Sequence, residues 1–373
     1  MKLALRSMAL VAACATGMAV TLQAEAANWL MLQGAEKPGT APRAKLWGFL
    51  QPTYRATDGT DLQAGPWKGQ EAQFNQIAPQ LSSNKQFSIA RARIGVRGTG
   101  FPLNSKINYF FLAEFGSNGI TWPAGGKGAA KITDASVTFN YIPGARIRAG
   151  QFKTPGAEEG LQAIHVFDYV NFTNVTNQLL LERFFDSDGS VAGNVNAPNG
   201  PVSAFRDIGV QIFDTFKTGA WNTSYALMFG NGNGIARGDN NGELDSYYYV
   251  STEKVFAGQG GRVESLKLFA WYQTGKRTLL TGATQTEGSY DRTRNGLGLT
   301  FRRNKIRAAA EYIMADGMIF NGTDGGAVVG AMNNAGTAKA GFNILPEDKA
   351  NGYYVHFGYM VLPKLELDVR YDV

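Results

Sequence analysis

Eight arginines recur at alternating positions in segments that otherwise read as extended chain: Arg91, Arg93, Arg97, Arg146, Arg148, Arg302, Arg307 and Arg370. Ser88 to Gly98 places Ala90, Ala92, Ile94 and Val96 on one side and three of these arginines on the other. Successive side chains of a strand point to opposite faces, so each such segment has a greasy face and a wet face. A guanidinium stays charged and presents a planar fork of donors that suits an oxyanion. Arginines ringing a water-filled space would concentrate small anions there. Lys153, at the end of one such segment, and Arg183, in a long connection, join the set as candidate anion-binding groups. The same faces also carry Glu114, Asp134, Glu311, Glu366 and Asp368. Opposite charges on neighbouring strands can pair and do no more than stiffen a wall. Arg93 with Glu114 and Arg307 with Glu311 are the candidate pairs.

Other chemistry finds little material. His165 and His356 are far apart, and the single cysteine, Cys14, sits near the start of the chain. There is no His-Glu-x-x-His motif, cysteine pair or local nucleophile motif, so neither an enzyme nor a metal or other cofactor is expected. Asn231-Gly232-Asn233-Gly234 is glycine-rich but leads into no helical pattern, which a phosphate-cradling loop requires. Asn240–Gly242 and Asn321–Gly326 lack the ligand spacing of a calcium loop and read as external loops.

Thirteen segments can position the arginines: 45–55, 88–98, 107–116, 134–141, 145–153, 206–213, 221–230, 244–255, 266–274, 292–302, 306–315, 352–360 and 365–373. Tyr247, Tyr248 and Tyr249 blur the eighth. Most are close to ten residues, the length with which a tilted strand crosses a bilayer. Short connections alternate with long ones, the longest being 154–205. Tyr54, Tyr141, Trp221, Phe229, Phe301 and Tyr359 fall near segment ends, where interfacial aromatic girdles sit. The expected fold is therefore all-β: a transmembrane antiparallel β-barrel with short periplasmic turns and long external loops. A mean hydropathy of −0.19 fits a wall that is greasy on one side only. No stretch reaches the ~18 apolar residues of a spanning helix. Known bacterial single-chain barrels carry even strand numbers. The thirteen segments are thus expected to belong to a barrel of about sixteen strands, with three lying beyond Val373.

Lys2, Arg6, the apolar run 7–22 and Ala24-Glu25-Ala26 read as a cleavable export signal over residues 1–26. Residues 27–44 then form a periplasmic N-terminal segment and 45–373 the barrel. Removing the signal lowers the formal charge from +6 to +5, by two basic groups and one acidic. That mild balance, with no dense Lys/Arg run, gives no sign of nucleic acid.

Three motifs carry a resemblance. They are Arg91-Ala92-Arg93-Ile94-Gly95-Val96-Arg97-Gly98, Arg148-Ala149-Gly150-Gln151-Phe152-Lys153-Thr154-Pro155 and Leu367-Asp368-Val369-Arg370-Tyr371-Asp372-Val373. With the overall layout from Leu46 onward, they resemble the phosphate-selective porin (porin O and P) family of Gram-negative outer membranes. The resemblance implies a sixteen-stranded homotrimer set in outer-membrane lipid and lipopolysaccharide. It implies passage of phosphate or other anions through a pore lined with basic residues and narrowed by an inward-folded third loop. Here that loop, 154–205, carries Glu158, Glu159, Asp168, Glu182, Asp186 and Asp188 against Arg183 alone. Its charge departs from the family pattern and argues against a dedicated phosphate site. The expected function is passive diffusion of small anions through an arginine-lined, water-filled channel. The alternatives are a non-selective solute porin and an outer-membrane scaffold or adhesin.

Overall fold

The computed structural model describes residues 28–31, 42–56, 61–72, 85–100, 104–122, 129–182, 202, 205–258, 263–281, 284, 286–328 and 330–373. The expected signal at 1–26, together with Arg183, Asp186 and Asp188, lies outside the described residues.

Each of the thirteen alternating segments is a strand. They are β1 (Lys45–Ala56), β2 (Lys85–Thr99), β3 (Ile107–Glu114), β4 (Lys131–Phe139), β5 (Arg146–Lys153), β6 (Arg206–Thr218), β7 (Trp221–Gly230), β8 (Asp245–Ala257), β9 (Glu264–Thr281), β10 (Thr286–Arg303), β11 (Ile306–Asp316), β14 (Lys349–Leu362) and β15 (Leu365–Asp372). They form one sheet in chain order, and every pairing is antiparallel. β1 and β15 are its two edges, so the barrel is not closed. The insertion between β11 and β14 holds a separate hairpin, β12 (Ile319–Thr323) with β13 (Phe342–Leu345).

One face of the sheet is apolar and exposed along its whole width: Leu50, Ile94, Phe111, Val210, Val250, Leu268, Leu297, Val355 and Val369 all lie on it. In a soluble protein such a belt would be a liability. Against hydrocarbon it is the favourable arrangement. The opposite face carries the buried charged and polar groups, Arg93, Glu114, Arg148, Arg277, Arg294 and Glu311 among them. The triple tyrosine resolves by the same rule. Tyr247 and Tyr249 point inward and are buried, while Tyr248 points outward.

Three features depart from the expectations. First, the strands run from 8 to 18 residues rather than staying near ten. β9 and β10 pair without interruption from Ser265↔Arg302 to Thr281↔Thr286, so most of 275–291, read as a long loop, is strand. Outward positions there turn polar, as at Lys276 and Thr278, and the apolar signal ends although the ladder does not. Beyond hydrocarbon a paired strand needs no greasy face. Second, the register between β1 and β2 slips at Gln51/Pro52, leaving Ala90 unopposed. Proline supplies no ladder donor and sits naturally at a bulge. The bulge turns Phe87 and Ile89 outward with Ile94, although both share the odd parity of the arginines. Third, the stretch read as a plain loop at Asn321–Gly326 belongs to β12 and the 3-10 turn after it. Phe320 and Phe342 are buried against each other, and the Asp324 carboxylate accepts hydrogen bonds from Gly341 N and Asn343 Nδ2.

The sheet curls far round its inner face. In the 154–205 connection, the carbonyl of Ile164 accepts from Gln51 on β1, and the carbonyls of Asn171 and Phe172 accept from Arg370 on β15. Seven to eight residues of chain span at most about 25–30 Å. The two edges of a thirteen-stranded sheet are therefore brought within reach of one short piece of chain.

Candidate functional site

The described stretch 154–182 of the long connection lies on the inner face and carries two short helices, α1 (Glu158–Leu161) and α2 (Asn174–Leu179). Neither is long enough to hold itself together without packing. Thr173 caps α2 by accepting from Thr176 N. Ala157, Leu161, Val175 and Leu179 pack on Phe213, Phe269, Trp271, Ile313 and Tyr354 of the sheet. Leu30, from the segment ahead of β1, is buried in the same cluster, and Asn28 Nδ2 donates to Ser224 Oγ at 2.7 Å. The interior beside β6–β14 is therefore filled. A cavity of about 40 Å³ remains there, bordered by Thr154, Glu182, Arg206, Arg277 and Arg292, with room for a few waters.

Charge anchors the same loop. Glu158 meets Lys267 Nζ at 2.5 Å, and its backbone N–H donates to Glu311 at 3.2 Å. Asp168 meets Arg307 at 3.0 Å. Glu182 accepts from Arg277 Nε and Nη2 at 3.0 and 3.1 Å and lies 2.8 Å from Arg292 Nε. Asp372 accepts from Asn174 N, and Arg294 Nε donates to the Leu179 carbonyl at 2.6 Å. The loop's acidic surplus thus meets the basic groups of β9–β11.

Burial alone would raise the carboxyl of Glu182. Arg277 and Arg292 together outweigh that and hold it down at about 2. A carboxylate depressed from its ordinary value stabilises the fold above that value, and the contribution is lost as pH falls through about 2. The Glu182 anchor is therefore expected to hold from pH 7 down to pH 4. Glu182→Gln should give the same conductance difference from the unaltered chain at both pH values, measured in bilayers. A difference that vanishes at pH 4 would contradict this. Burial pushes Glu159 the other way, up, despite hydrogen bonds from Thr173 and Thr176. Burial, helped by Lys153, Arg93 and Arg97, lowers His165.

The arginines singled out by alternation fall in different surroundings. Arg93 Nε donates to Glu114 at 2.6 Å, so that pair forms. Glu114 is fully buried and also accepts from Ala92 N, Gly116 N and Asn118 Nδ2. Glu114→Ala is expected to cost about 3–5 kcal/mol, because it strands the buried Arg93 charge. Unfolding in detergent by denaturant would measure it, and a loss under 1 kcal/mol would show the pair to be dispensable. The other expected pair, Arg307 with Glu311, does not form. Arg307 instead meets Asp168, Glu366 and Asp368. Glu311 accepts from Trp271 Nε1 and Tyr354 OH, both at 2.6 Å. Arg91 donates to the neutral amide of Gln51 at 3.0 Å. Arg97 lies over Trp47, and Arg148 over Phe213 and Phe152. Arg146 reaches Asp214 at 3.3 Å, and Arg302 is half-buried on the inner face of β10. Lys153 Nζ donates to the carbonyls of Gly160, Leu161 and Gln162, and Arg370 to those of Asn171 and Phe172.

Arg206, Lys267, Arg277, Arg292 and Arg294 also face inward and were not singled out. Arg292 and Arg294 share the parity of Arg302, so alternation alone could have found them. Arg277 lies past the point where the apolar signal stops. Arg55, Arg91, Arg93, Lys153 and Arg206 gather on β1–β6 close enough for their charges to act on one another, beside Glu114 and Asp134. Arg206 grips Asp134 through Nε and Nη2 at 3.1–3.2 Å.

The inner face is thus charge-balanced along β9–β11 and more basic along β1–β6. Residues 69–179 match the family model of phosphate-selective porin O and P. The match runs through β2–β5 and into the inward loop, and includes Arg91, Arg93, Arg97, Arg146, Arg148 and Lys153. The resemblance to the phosphate-selective porins read from the motifs is therefore found independently over this part of the chain. Among solved structures, the chain is similar to the outer membrane channel DcaP of Acinetobacter baumannii (12% identity, 91% of this chain and 93% of that one, TM-score 0.39). It is also similar to OmpF of Salmonella typhi in complex with daunomycin (13%, 88% and 89%, 0.39). A third is an anion-selective porin from Comamonas acidovorans (12%, 88% and 88%, 0.37). No curated protein matches the chain.

Proposed function

We propose that this protein is an outer-membrane porin that passes small solutes by diffusion, with a modest preference for anions and no dedicated phosphate site. The observation that carries the reading is the basic wall of β1–β6, where Arg55, Arg91, Arg93, Lys153 and Arg206 outnumber Glu114 and Asp134. Fixed charge in a narrow, low-dielectric passage raises the local concentration of counter-ions. The match to the phosphate-selective porin model supports the same class. A phosphate site would need several arginines converging with their donors available. Arg277, Arg292 and Arg307 already meet carboxylates, and Arg294 meets backbone carbonyls. That compensation is also what favours the second reading, a porin without charge preference.

The apolar outer face suits lipid and lipopolysaccharide. Assembly as a homotrimer and export through a cleaved signal complete the proposal. The test is planar-bilayer recording of the full chain in a chloride gradient. Stepwise conductance with a reversal potential on the anion side is expected, with phosphate at millimolar levels leaving the chloride current largely intact. A cation-side reversal potential would overturn the anion preference, and block by submillimolar phosphate would overturn the absence of a site. Lack of conductance would leave a scaffold or adhesin as the better reading.

A further inference from the structure

The inner face of a porin wall is ordinarily polar. Here the inner face of β1–β3 carries a cluster of aromatic rings instead. Trp47 and Phe49 stack at 6.4 Å and 29°, and Phe110 lies 5.7 Å from Trp47. Guanidiniums cover the same rings, Arg93 at 5.7 Å over Phe49 and Arg97 at 6.0 Å over Trp47. His165, from the inward loop, sits 5.1 Å from Phe49 and 6.0 Å from Trp47. Gly95 occupies the inward position between the two arginines. A Cβ there would press on the backbone carbonyl oxygen of Phe111 and come within 2.8 Å of the Leu112 side chain and 3.2 Å of Trp47 Nε1, so glycine lets both the β2–β3 ladder and the indole close up.

Packing alone does not account for the arrangement. Inward aromatics of the filled half, such as Phe213, Phe269, Trp271 and Tyr354, are buried beneath α1, α2 and Leu30. Trp47 and Phe49 remain half-buried beside His165 of the inward loop. A ring face beside a guanidinium fork offers two recognition elements at once: an aromatic plane for stacking and donors for a carboxylate. Inorganic phosphate, chloride or acetate can use only the second.

We propose that this aromatic–guanidinium face is a binding station for aromatic carboxylates, planar organic anions of benzoate size, on their way through the channel. The proposal rests on the porin reading and sharpens it. The face favours a flat anion over a small inorganic one.

The test records chloride current through the full chain in bilayers while benzoate, acetate or the uncharged benzamide is added. Benzoate is expected to reduce the current at concentrations about tenfold below acetate, the scale of one or two ring contacts. Benzamide should be weaker than benzoate. Phe49→Leu should erase the benzoate advantage while keeping the chloride conductance, and Phe49→Tyr should retain it. Equal action of benzoate and acetate, or of benzoate and benzamide, would overturn the station while leaving the porin intact. An advantage that survives Phe49→Leu would place the effect elsewhere and overturn it too. A chain that conducts no chloride would remove the porin reading itself, and the station with it.

Discussion

Glu182→Ala is expected to loosen the far limb of the inward loop and to enlarge the single-channel current. Glu182 is the carboxylate through which that limb meets both Arg277 and Arg292, whose side chains are 2% and 4% exposed. Removing one partner from a buried ionic cluster typically costs about 3–5 kcal/mol, because the remaining charge stays buried without compensation. Arg277 keeps Asp245, at 2.9 and 3.0 Å, so the strand itself has a second tie. The loop keeps its other anchors, Glu158 on Lys267 and Asp168 on Arg307, and is not expected to leave the interior altogether. The result should be a larger, noisier current and a lower unfolding midpoint in detergent. The reversal potential should also move further toward anions, because a negative charge has gone. Glu182→Gln keeps the shape and an accepting oxygen, so its current and unfolding midpoint should change less, while its reversal potential moves in the same direction because the same charge has gone. A Glu182→Ala channel indistinguishable from the unaltered one would show that this limb does not bound the ion path.

The Glu182 cluster also marks where sequence reasoning stops. Alternation located every strand of the sheet, because half the side chains of each strand face a different solvent from the other half, and composition records that contrast directly. It put Arg91, Arg93 and Arg97 on the inner face for the same reason. It could not supply partners. Glu182 and Arg277 are 95 residues apart, and Arg307 meets Asp168 from a loop rather than Glu311 from its own strand. Partnership depends on how an irregular loop lies across a curved wall, and no period in the sequence encodes that. The Glu114–Arg93 pair was legible because it joins neighbouring strands at a register the short turn between them sets. The bulge at Pro52 was not, since one skipped residue leaves the composition of a strand unchanged. The extended ends of β9 and β10 were hidden because the apolar signal reports contact with hydrocarbon, whereas pairing continues beyond it.

Arg91 is the residue through which the basic wall can be tested most directly. Its neighbour across the ladder is the amide of Gln51, and the charges acting on it are those of Arg93, Arg55 and Arg206 as well as Glu114. Arg93 is different, because altering it also strands Glu114 and mixes stability with selectivity. Arg91→Gln removes one positive charge from the wall and Arg91→Glu changes the local balance by two. The reversal potential is therefore expected to move toward cations in that order, with the glutamate variant reaching or crossing zero preference. Screening supplies an internal control. The Debye length is about 10 Å at 0.1 M salt and about 3 Å at 1 M, so the separation between variants should be wide in the first and nearly vanish in the second. Arg307→Gln makes the contrast. Its guanidinium sits among Asp168, Glu366 and Asp368, and its loss leaves a net negative patch beside β15 while also releasing a loop anchor, so conductance should change along with selectivity. If Arg91→Glu leaves the reversal potential unchanged at 0.1 M salt, ions do not travel along the β1–β2 face, and the anion preference must be sought on another part of the wall.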